Sequence, residues 1–335
     1  MGIDTSVIWA VIIYFSVFMY VVLDGFDLGI GMLFPFVKDK RERDTMMNTV
    51  APVWDGNETW LVLGGEGLLL AFPVAYSIIL TGLYLPLIFM LIGLVFRGVA
   101  FEFRFKAKDH RRHLWDKAFI GGSVVASYFQ GVSLGTFLNG ITVSGRSYAG
   151  GPLDWVAPFP LLAGFGVMIA YTLLGSTWLI MKTEGELHKR MVQVARPFAL
   201  MLLGAVVVVS IWTPLRDAAV AERWFSFPNI VFLMPVPVLV MLSIVVLLGS
   251  LKSDPHRWPF VAALALIFLG YTGMAISIWP HIVPPFITIW EAASPPASQG
   301  FALVGTLFIL PVILMYTVWS YWVFRGKVKA DAGYH

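Results

Sequence analysis

A single stretch, VIWAVIIYFSVFMYVVLDGFDLGIGMLFP at residues 7–35, is enough to place this chain in a membrane. A helix needs about 20 apolar residues to cross a hydrocarbon core of about 30 Å, and this run exceeds that length. Two aspartates, Asp24 and Asp27, nevertheless lie within it. A carboxylate inside a bilayer is costly, so such residues usually face a protein interior and mark an ion route or a ligand site. The stretch therefore predicts a membrane helix that takes part in proton chemistry.

The composition extends this conclusion to the whole chain. Of its 335 residues, 58% are hydrophobic and only 13% are charged, and the mean hydropathy is +0.80. Soluble domains carry about 25% charged residues, so the composition indicates an all-α polytopic membrane protein. The net charge of +3 comes from basic residues in separate short loops, which predicts no nucleic-acid partner. No cysteine is present, which excludes disulfides and thiolate metal sites.

Hydrophobic segmentation predicts nine transmembrane helices. Their spans are 7–35, 56–76, 78–101, 118–140, 158–181, 198–216, 228–250, 258–279 and 301–323. The first run is not expected to be a cleaved signal, because no Lys or Arg precedes Lys38. The first and fifth spans run in the same direction, so we expect two four-helix units and one peripheral helix. Residues 1–140 would form the unit with the acidic residues, 141–280 the second unit, and 281–335 the ninth helix and tail.

Lysines and arginines are concentrated in alternate loops. The loops after the odd-numbered spans and the tail hold Lys38, Lys40, Arg41, Arg43, Arg104, Lys106, Lys108, Arg111, Arg112, Lys117, Lys182, Lys189, Arg190, Arg196, Lys252, Arg257, Arg325, Lys327 and Lys329. The opposite side holds only Arg146, Arg216 and Arg223. By the positive-inside rule, the N-terminus is expected outside and the C-terminus in the cytoplasm.

The two acids of the first span lie one helical turn apart and share one face. At 1.5 Å per residue, Asp27 lies about 13 Å from the inner end of the helix near Phe36, in the inner half of the membrane. Gly25 and Gly29 form a small-xxx-small pair, which lets another helix approach closely. Two interpretations stay open: the acids relay protons, or they are hydrogen-bonded contacts between packed helices.

A third acid opens the second span, in the sequence Trp54-Asp55-Gly56-Asn57-Glu58-Thr59-Trp60. Asp55 and Glu58 have the spacing of a capping box, in which both side chains accept backbone N–H groups at a helix start. An acid at the cytoplasmic mouth would also collect protons, and the two roles are compatible. Trp54 and Trp60 are typical of the aromatic belt at a membrane surface.

Two further charged residues lie within the predicted spans. Glu66, which is surrounded by glycines, lies eleven residues after Asp55 and therefore about 16 Å deeper, near the bilayer centre. A lone carboxyl there is expected to be protonated or paired. Arg97 lies towards the inner end of the third span. It either neutralises Glu102 or an acid of the first span, or it extends along the helix to the membrane surface.

The six histidines fall in loops, at span ends or at the terminus. They are His110, His113, His188, His256, His281 and His335. Haem in membrane subunits needs axial ligands, commonly His or Met, within the helices. Methionines in a span are more often packing residues. We therefore expect that this chain ligates neither a haem nor another metal.

Four motifs carry a family resemblance. They are Asp24-Gly25-Phe26-Asp27-Leu28-Gly29, Asn48-Thr49-Val50-Ala51-Pro52-Val53-Trp54-Asp55-Gly56-Asn57-Glu58-Thr59-Trp60-Leu61, Phe96-Arg97-Gly98-Val99-Ala100-Phe101-Glu102-Phe103-Arg104 and Thr183-Glu184-Gly185-Glu186-Leu187. Together they resemble subunit II of the cytochrome bd quinol oxidases, over the first through the ninth span. The regions around Asp55 and Arg97 are most similar to the cyanide-insensitive branch.

The resemblance implies a partner and a reaction. Subunit II would pair with a haem-bearing subunit I that carries haems b and d and the quinol site, and a small single-helix subunit would be a further partner. The complex would lie in the bacterial cytoplasmic membrane among its lipids. It would oxidise quinol and reduce oxygen to water with protons from the cytoplasm, so the chain would belong to an enzyme without being catalytic alone.

The resemblance also implies roles for particular residues. A proton route would use four acids: Asp24, Asp27, Asp55 and Glu102. Independently of the resemblance, we expect three charged residues to tune the electrostatic field along this route: Arg97, Glu58 and Glu66. Glu66 departs from the family pattern, which has a small residue there. Trp60 matches a tryptophan that lines an oxygen route in some relatives, and the subunit can hold a structural quinone.

Two functions of other classes stay open on the residues alone. A proton-coupled secondary transporter would also need buried acids and an arginine partner. It predicts interrupted helices with polar residues at mid-depth in both halves of the chain, which the fifth to eighth spans lack. A purely structural membrane scaffold predicts that the acids are dispensable.

Overall fold

The computed structural model describes residues 4–252 and 256–328, so Lys329 and His335 lie outside the described residues. Fourteen helices form most of the described chain: α1 (Thr5–Leu33), α2 (Lys40–Asn48), α3 (Trp54–Ala71), α4 (Pro73–Gly82), α5 (Tyr84–Lys106), α6 (Arg112–Asn139), α7 (Pro158–Lys182), α8 (Gly185–Arg216), α9 (Ala218–Phe225), α10 (Asn229–Leu233), α11 (Pro235–Ser250), α12 (Trp258–Ile278), α13 (Ile289–Ala292) and α14 (Pro296–Val323). Short 3₁₀ turns follow α1 at Phe34–Phe36 and precede α6 at Asp109–Arg111.

Two small β-hairpins lie in the loops after α6 and α12. Strand β1 (Val143–Ser144) pairs antiparallel with β2 (Ser147–Tyr148). Strand β3 (His281–Val283) pairs antiparallel with β4 (Ile287–Thr288). The described fold is therefore all-α apart from these hairpins, as the sequence predicted.

Seven helices of the described chain are long and apolar enough to cross a membrane. They are Thr5–Phe36, Tyr84–Lys106, Pro158–Lys182, Gly185–Arg216, Asn229–Ser250, Trp258–Ile278 and Pro296–Val323. The predicted second and fourth spans correspond to α3 and α6, which are more polar: α3 contains three acids, and α6 is rich in Gly and Ser. The count of nine spans and the division into four-helix units stay predictions.

The predicted second span, 56–76, is not one continuous helix. Helix α3 ends at Ala71, and α4 begins at Pro73 after Phe72, whose backbone is not helical. Proline has no N–H to donate and favours the first turn of a helix, so Pro73 starts a new helix instead of continuing the old one. The third span accordingly begins at Tyr84 in α5, six residues later than predicted.

Helix α1 packs against α7 at very short range, which confirms the prediction from Gly25 and Gly29. A Cβ at Gly29 would lie 2.8 Å from the carbonyl carbon of Tyr171 and 3.0 Å from the backbone nitrogen of Gly175. A Cβ at Gly175 would likewise lie 2.7 Å from the Gly29 carbonyl carbon. Only glycines allow the two backbones to come this close. This contact brings the acid-bearing face of α1 into the protein interior.

The N-terminal end of α1 is tied to α13. The Asp4 carboxylate accepts from the backbone N–H groups of Ser6 (3.0 Å) and Val7 (3.2 Å) and from the Trp290 indole N–H (2.8 Å). The Trp290 hydrogen bond, followed by the backbone N–H groups, lowers the pKa of Asp4. Asp4 is thus a helix cap whose charged form the fold favours.

Candidate functional site

A buried ion pair between Arg97 of α5 and Asp24 of α1 lies at the centre of the site. Their side chains are 0% and 1% exposed. The same Arg97 nitrogen lies 3.0 Å from Glu58 of α3, whose side chain is 30% exposed. The guanidinium also lies 5.7 Å from the ring centroids of both Trp54 and Phe101. Arg97 is therefore held in the interior by two carboxylates and two aromatic rings, and it does not extend to the membrane surface.

Asp27, one turn further along α1, is also fully buried. In contrast to Asp24, it forms no ion pair within the described part of the chain. Its Oδ2 accepts a hydrogen bond of 2.8 Å from the Asn57 side-chain amide. Asn57 in turn accepts from the Tyr321 hydroxyl at 2.8 Å and donates to the Leu23 carbonyl oxygen at 3.3 Å. Asn57 thus links Asp27 on α1 to α3 and α14.

A third group of polar residues continues from Asp24 towards the start of α1. Tyr20 lies one turn from Asp24 on the same helix face. The Gln130 amide of α6 donates to the Tyr20 hydroxyl at 2.6 Å, and the Tyr171 hydroxyl of α7 donates to Gln130 at 2.7 Å. Both tyrosines are buried. The polar interior therefore continues beyond the ion pair, across three helices.

The acids of α3 connect this interior to the outside of the protein. Asp55 is exposed, Glu58 lies one turn further and is partly exposed, and Arg97 beside Glu58 is buried. The predicted capping box is wrong, because α3 begins at Trp54, its preceding residue is Val53, and no side chain caps it. Asp55 instead lies in the first turn, where the helix dipole favours an acid.

Two of the predicted site acids lie apart from this cluster. Glu102 on α5 is exposed and contacts Lys106 at 3.4 Å, not Arg97. Glu66 on α3 is exposed and forms no hydrogen bond or ion pair within residues 4–252 and 256–328. Gly64 and Gly67, on the other side of the helix, face α1: a Cβ at Gly64 would lie 3.2 Å from Val17, and one at Gly67 would lie 3.0 Å from Ile13. The Glu66 carboxyl therefore lies on the outer surface of this chain.

The two tryptophans predicted for the surface belt differ in position. Trp60 is fully buried and packs edge-on against Phe15, with ring centroids 5.6 Å apart. The belt prediction is therefore wrong for Trp60, because its face of α3 packs on α1. Trp54 is partly buried and stacks on Phe101 at 5.2 Å, where both rings contact Arg97.

A second buried ionic network was not predicted from the sequence. Arg104 of α5, only 1% exposed, contacts Asp116 of α6 at 2.5 Å and Asp44 of α2. Arg43 of α2 contacts the other Asp116 oxygen at 2.8 Å. These residues lie in polar segments that look like solvated loops in the sequence, and only the tertiary fold brings them together. The one signal available was the concentration of both charge signs just outside two spans.

Several buried polar atoms of the central cluster have no hydrogen-bond partner among the described residues. They are Asp24 Oδ2, Asp27 Oδ1, Arg97 Nε and Arg97 Nη1. Buried polar atoms are normally satisfied, and water fills this role where no protein group reaches. Each of these atoms therefore has a free position for a hydrogen bond from or to water.

No group of three or more His, Asp or Glu side chains is arranged to hold a metal ion in the part of the chain that the structure describes. Of the histidines in that part, His113 and His188 have ring nitrogens 2.9 Å from backbone carbonyl oxygens. The expectation that no haem binds to this chain stays a prediction.

Comparisons with known proteins identify the family. The family model described as cytochrome bd terminal oxidase subunit II matches residues 5–324. Cytochrome bd-I ubiquinol oxidase subunit 2 of Escherichia coli (strain K12) is 31% identical over 97% of this chain and 95% of its own length. Cytochrome bd ubiquinol oxidase subunit 2 of Bacillus subtilis (strain 168) is 28% identical over 96% of each chain.

A solved structure supports the fold. A chain of the bd oxidase from Geobacillus thermodenitrificans aligns with a TM-score of 0.79 over 96% of this chain and 99% of its own length. Its sequence identity is 15%, so this likeness concerns the fold alone. The family match and the curated relatives confirm what the four motifs predicted: the chain belongs to the cytochrome bd terminal oxidase subunit II family, whose members are subunits of a respiratory quinol oxidase complex.

Proposed function

We propose that this chain delivers protons from the cytoplasm to a haem-bearing partner subunit, where oxygen is reduced to water, and that it also scaffolds that partner. The observation that carries the proposal is the gradient of burial along one line of acids. Asp55 is exposed, Glu58 is partly exposed beside Arg97, and Asp24 and Asp27 are buried. A route for protons from a surface to a dry interior needs such a series of groups.

The charge balance of the cluster suits this role. Arg97 is a permanent cation, and it lowers the cost of holding the carboxylates of Asp24 and Glu58 in the interior. Asp27 has a neutral amide as its partner. It can therefore take up and release a proton without breaking an ion pair. Bridging water would connect Asp27 with Asp24 through the carboxyl oxygens that have no hydrogen-bond partner among the described residues.

Glu102 and Trp60 have separate roles in the proposal. Glu102 is exposed beside Lys106, so its role would be to collect protons at the surface and not to relay them inside. Trp60, which is buried against α1, would line an oxygen route. With the orientation given by the positive-inside rule, the N-terminus lies outside and Asp55 faces the cytoplasm.

Glu66 indicates where the partner subunit would lie. It is exposed on α3 together with Val62 and Leu69, which are 56% and 47% exposed. A carboxyl that faces lipid at this depth would be costly, so we propose that the haem-bearing subunit covers this face. Haems b and d would be held by that subunit, which would also bind quinol. A small single-helix subunit and a structural quinone are further expectations from the family.

No observation favours a proton-coupled transporter. A structural scaffold remains the alternative for the acids themselves, because the ion pair of Asp24 and Arg97 also ties α1 to α5. Asp55 distinguishes the two roles, because it is exposed and its side chain forms no hydrogen bond or ion pair within the described residues. The test is Asp55→Asn in the intact oxidase complex, reconstituted in liposomes and given a pulse of oxygen.

We expect the Asp55→Asn complex to assemble with its full haem spectrum but to oxidise quinol and take up protons more slowly. The matched control is Asp109→Asn, which removes an acid that is 88% exposed on the same side and outside the proposed route. Wild-type rates of proton uptake in Asp55→Asn would show that this acid does not collect protons. If Asp27→Asn also took up protons at the wild-type rate, the chain would be a scaffold.

A further inference from the structure

A groove lies between the end of α5 and the beginning of α6, away from the acid cluster. Its volume is about 700 Å³. Its lining has two parts, one basic and one apolar. The basic part consists of Lys106, Lys108, His110 and Arg111, and the apolar part includes Phe96, Phe103, Leu114 and Trp115.

The basic part of the lining includes positive charges that no nearby acid neutralises. Lys106 contacts Glu102 at 3.4 Å, and the neighbouring Asp109 lies 3.5 Å from Arg112. Lys108 and Arg111 are exposed and form no ion pair within the residues that the structure describes. The two acids near the groove are thus already engaged. Lys108 and Arg111 remain available to an anion, and an arginine fork is well suited to a phosphate group.

The apolar part of the lining consists of large side chains that are strongly exposed. Phe96, Phe103 and Leu114 are 56%, 54% and 53% exposed. Trp115 stacks on Phe103 with ring centroids 5.2 Å apart. These side chains continue the apolar surface of α5, which is long and apolar enough to cross a membrane. Aromatic residues at such a position are typical of the boundary between acyl chains and headgroups.

We propose that this groove binds an anionic phospholipid, with its phosphate on Lys108 and Arg111 and an acyl chain along Phe96, Phe103 and Leu114. The apolar wall directly beside the cations favours a lipid over a free phosphate, because a free ion would make no use of it. Basic pockets at the ends of membrane helices commonly bind anionic headgroups. Of the acids in the proposed proton route, only Glu102 lies near this groove, paired with Lys106, and the lipid site does not depend on that route.

The experiment uses the purified oxidase complex in mild detergent. Bound lipid is counted by native mass spectrometry after titration with phosphatidylglycerol or with phosphatidylcholine. The test variant is Lys108→Gln with Arg111→Gln. The matched control is Lys38→Gln with Lys40→Gln, which removes the same charge from lysines outside the groove. Each basic residue near an anionic surface contributes about 1 kcal/mol, so the test variant should bind phosphatidylglycerol about thirtyfold more weakly than the control.

Two further arms distinguish a lipid site from a site for a free anion. Leu114→Ser keeps the charges but removes part of the apolar wall, so it should weaken phosphatidylglycerol binding as well. An excess of inorganic phosphate should not displace the lipid from the wild-type complex. The proposal is overturned if the test and control variants bind the lipid equally, if phosphatidylcholine binds as well as phosphatidylglycerol, or if inorganic phosphate displaces the lipid. The last two comparisons use wild-type protein and hold even if the variant does not assemble.

Discussion

The two buried acids of α1 should respond differently when each loses its charge. Asp24→Asn leaves Arg97 buried at 0% exposure with Glu58 as its remaining carboxylate, 3.0 Å away and 30% exposed. Removal of one partner from a buried ion pair costs about 3–5 kcal/mol. Because Glu58 still neutralises part of the charge, we expect a cost of about 2–4 kcal/mol.

Asp27→Asn should be much milder. Its main contact is the 2.8 Å hydrogen bond from Asn57, and the side-chain oxygen of an asparagine can accept the same bond. The change keeps this hydrogen bond with a neutral acceptor, so its cost should not exceed roughly 1 kcal/mol. The ion pair of Arg97 is untouched. The two variants should therefore differ in stability although both lose one buried carboxylate.

Stability and function are measured on the same assembled complexes. Thermal unfolding gives the stability, and oxygen-pulse experiments in liposomes give the rate of proton uptake. Asp24→Asn should unfold several degrees below Asp27→Asn, whereas both should slow proton uptake. The double variant Asp24→Asn with Arg97→Gln should be less destabilised than the sum of the single changes, because it leaves no unpaired cation. Equal unfolding temperatures for the two single variants would refute the pairing of Arg97 with Asp24 as the main stabilising contact.

Four more perturbations concern other parts of the molecule. Gly29→Ala should destabilise the complex by about 1–3 kcal/mol in thermal unfolding, because the new Cβ meets the backbone of α7 and no side chain can move aside. The control is Gly166→Ala on α7, where a Cβ would meet open space, and it should be neutral or stabilising by up to about 1 kcal/mol. Equal effects of the two changes would contradict the close approach of α1 and α7. The lowered pKa of Asp4 means that its contribution to stability is present above its ordinary pKa and is lost as the pH falls through the lowered value. Thermal scans from about pH 5 to pH 3 should therefore show a smaller fall in unfolding temperature for Asp4→Asn than for wild type. Identical pH profiles for the two proteins would contradict this role of Asp4. Glu66→Gln should leave both complex yield and oxidase activity close to wild type, since an amide can still hydrogen-bond to a partner; a loss of activity at normal yield would show that Glu66 changes its protonation during turnover. Replacement of any one of the six histidines, at positions 110, 113, 188, 256, 281 and 335, should leave every haem absorption band in place, and the loss of one band from an assembled variant would reveal a ligand on this chain.

The amino-acid sequence was sufficient for properties that depend on local composition. Hydropathy placed most of the membrane helices, because a helix in a bilayer must be apolar over a fixed length whatever its neighbours are. The glycine pair on α1 indicated a close helix contact, and the buried acids indicated the polar centre. Hydropathy did not reveal the break between α3 and α4, because Phe72 and Pro73 are themselves compatible with an apolar membrane segment.

The pairing of charges was decided by the tertiary structure alone. From the sequence, Arg97 had three candidate partners, and the fold selected Asp24 and added Glu58, whereas Glu102 pairs with Lys106. Trp60 and Glu66 are six residues apart on one helix, yet one is fully buried and the other exposed. The physical reason is the same in each case: ion pairs and burial depend on how helices are rotated and packed against one another. That geometry arises from contacts between residues far apart in the chain, such as Gly29 with Tyr171, which no local pattern specifies.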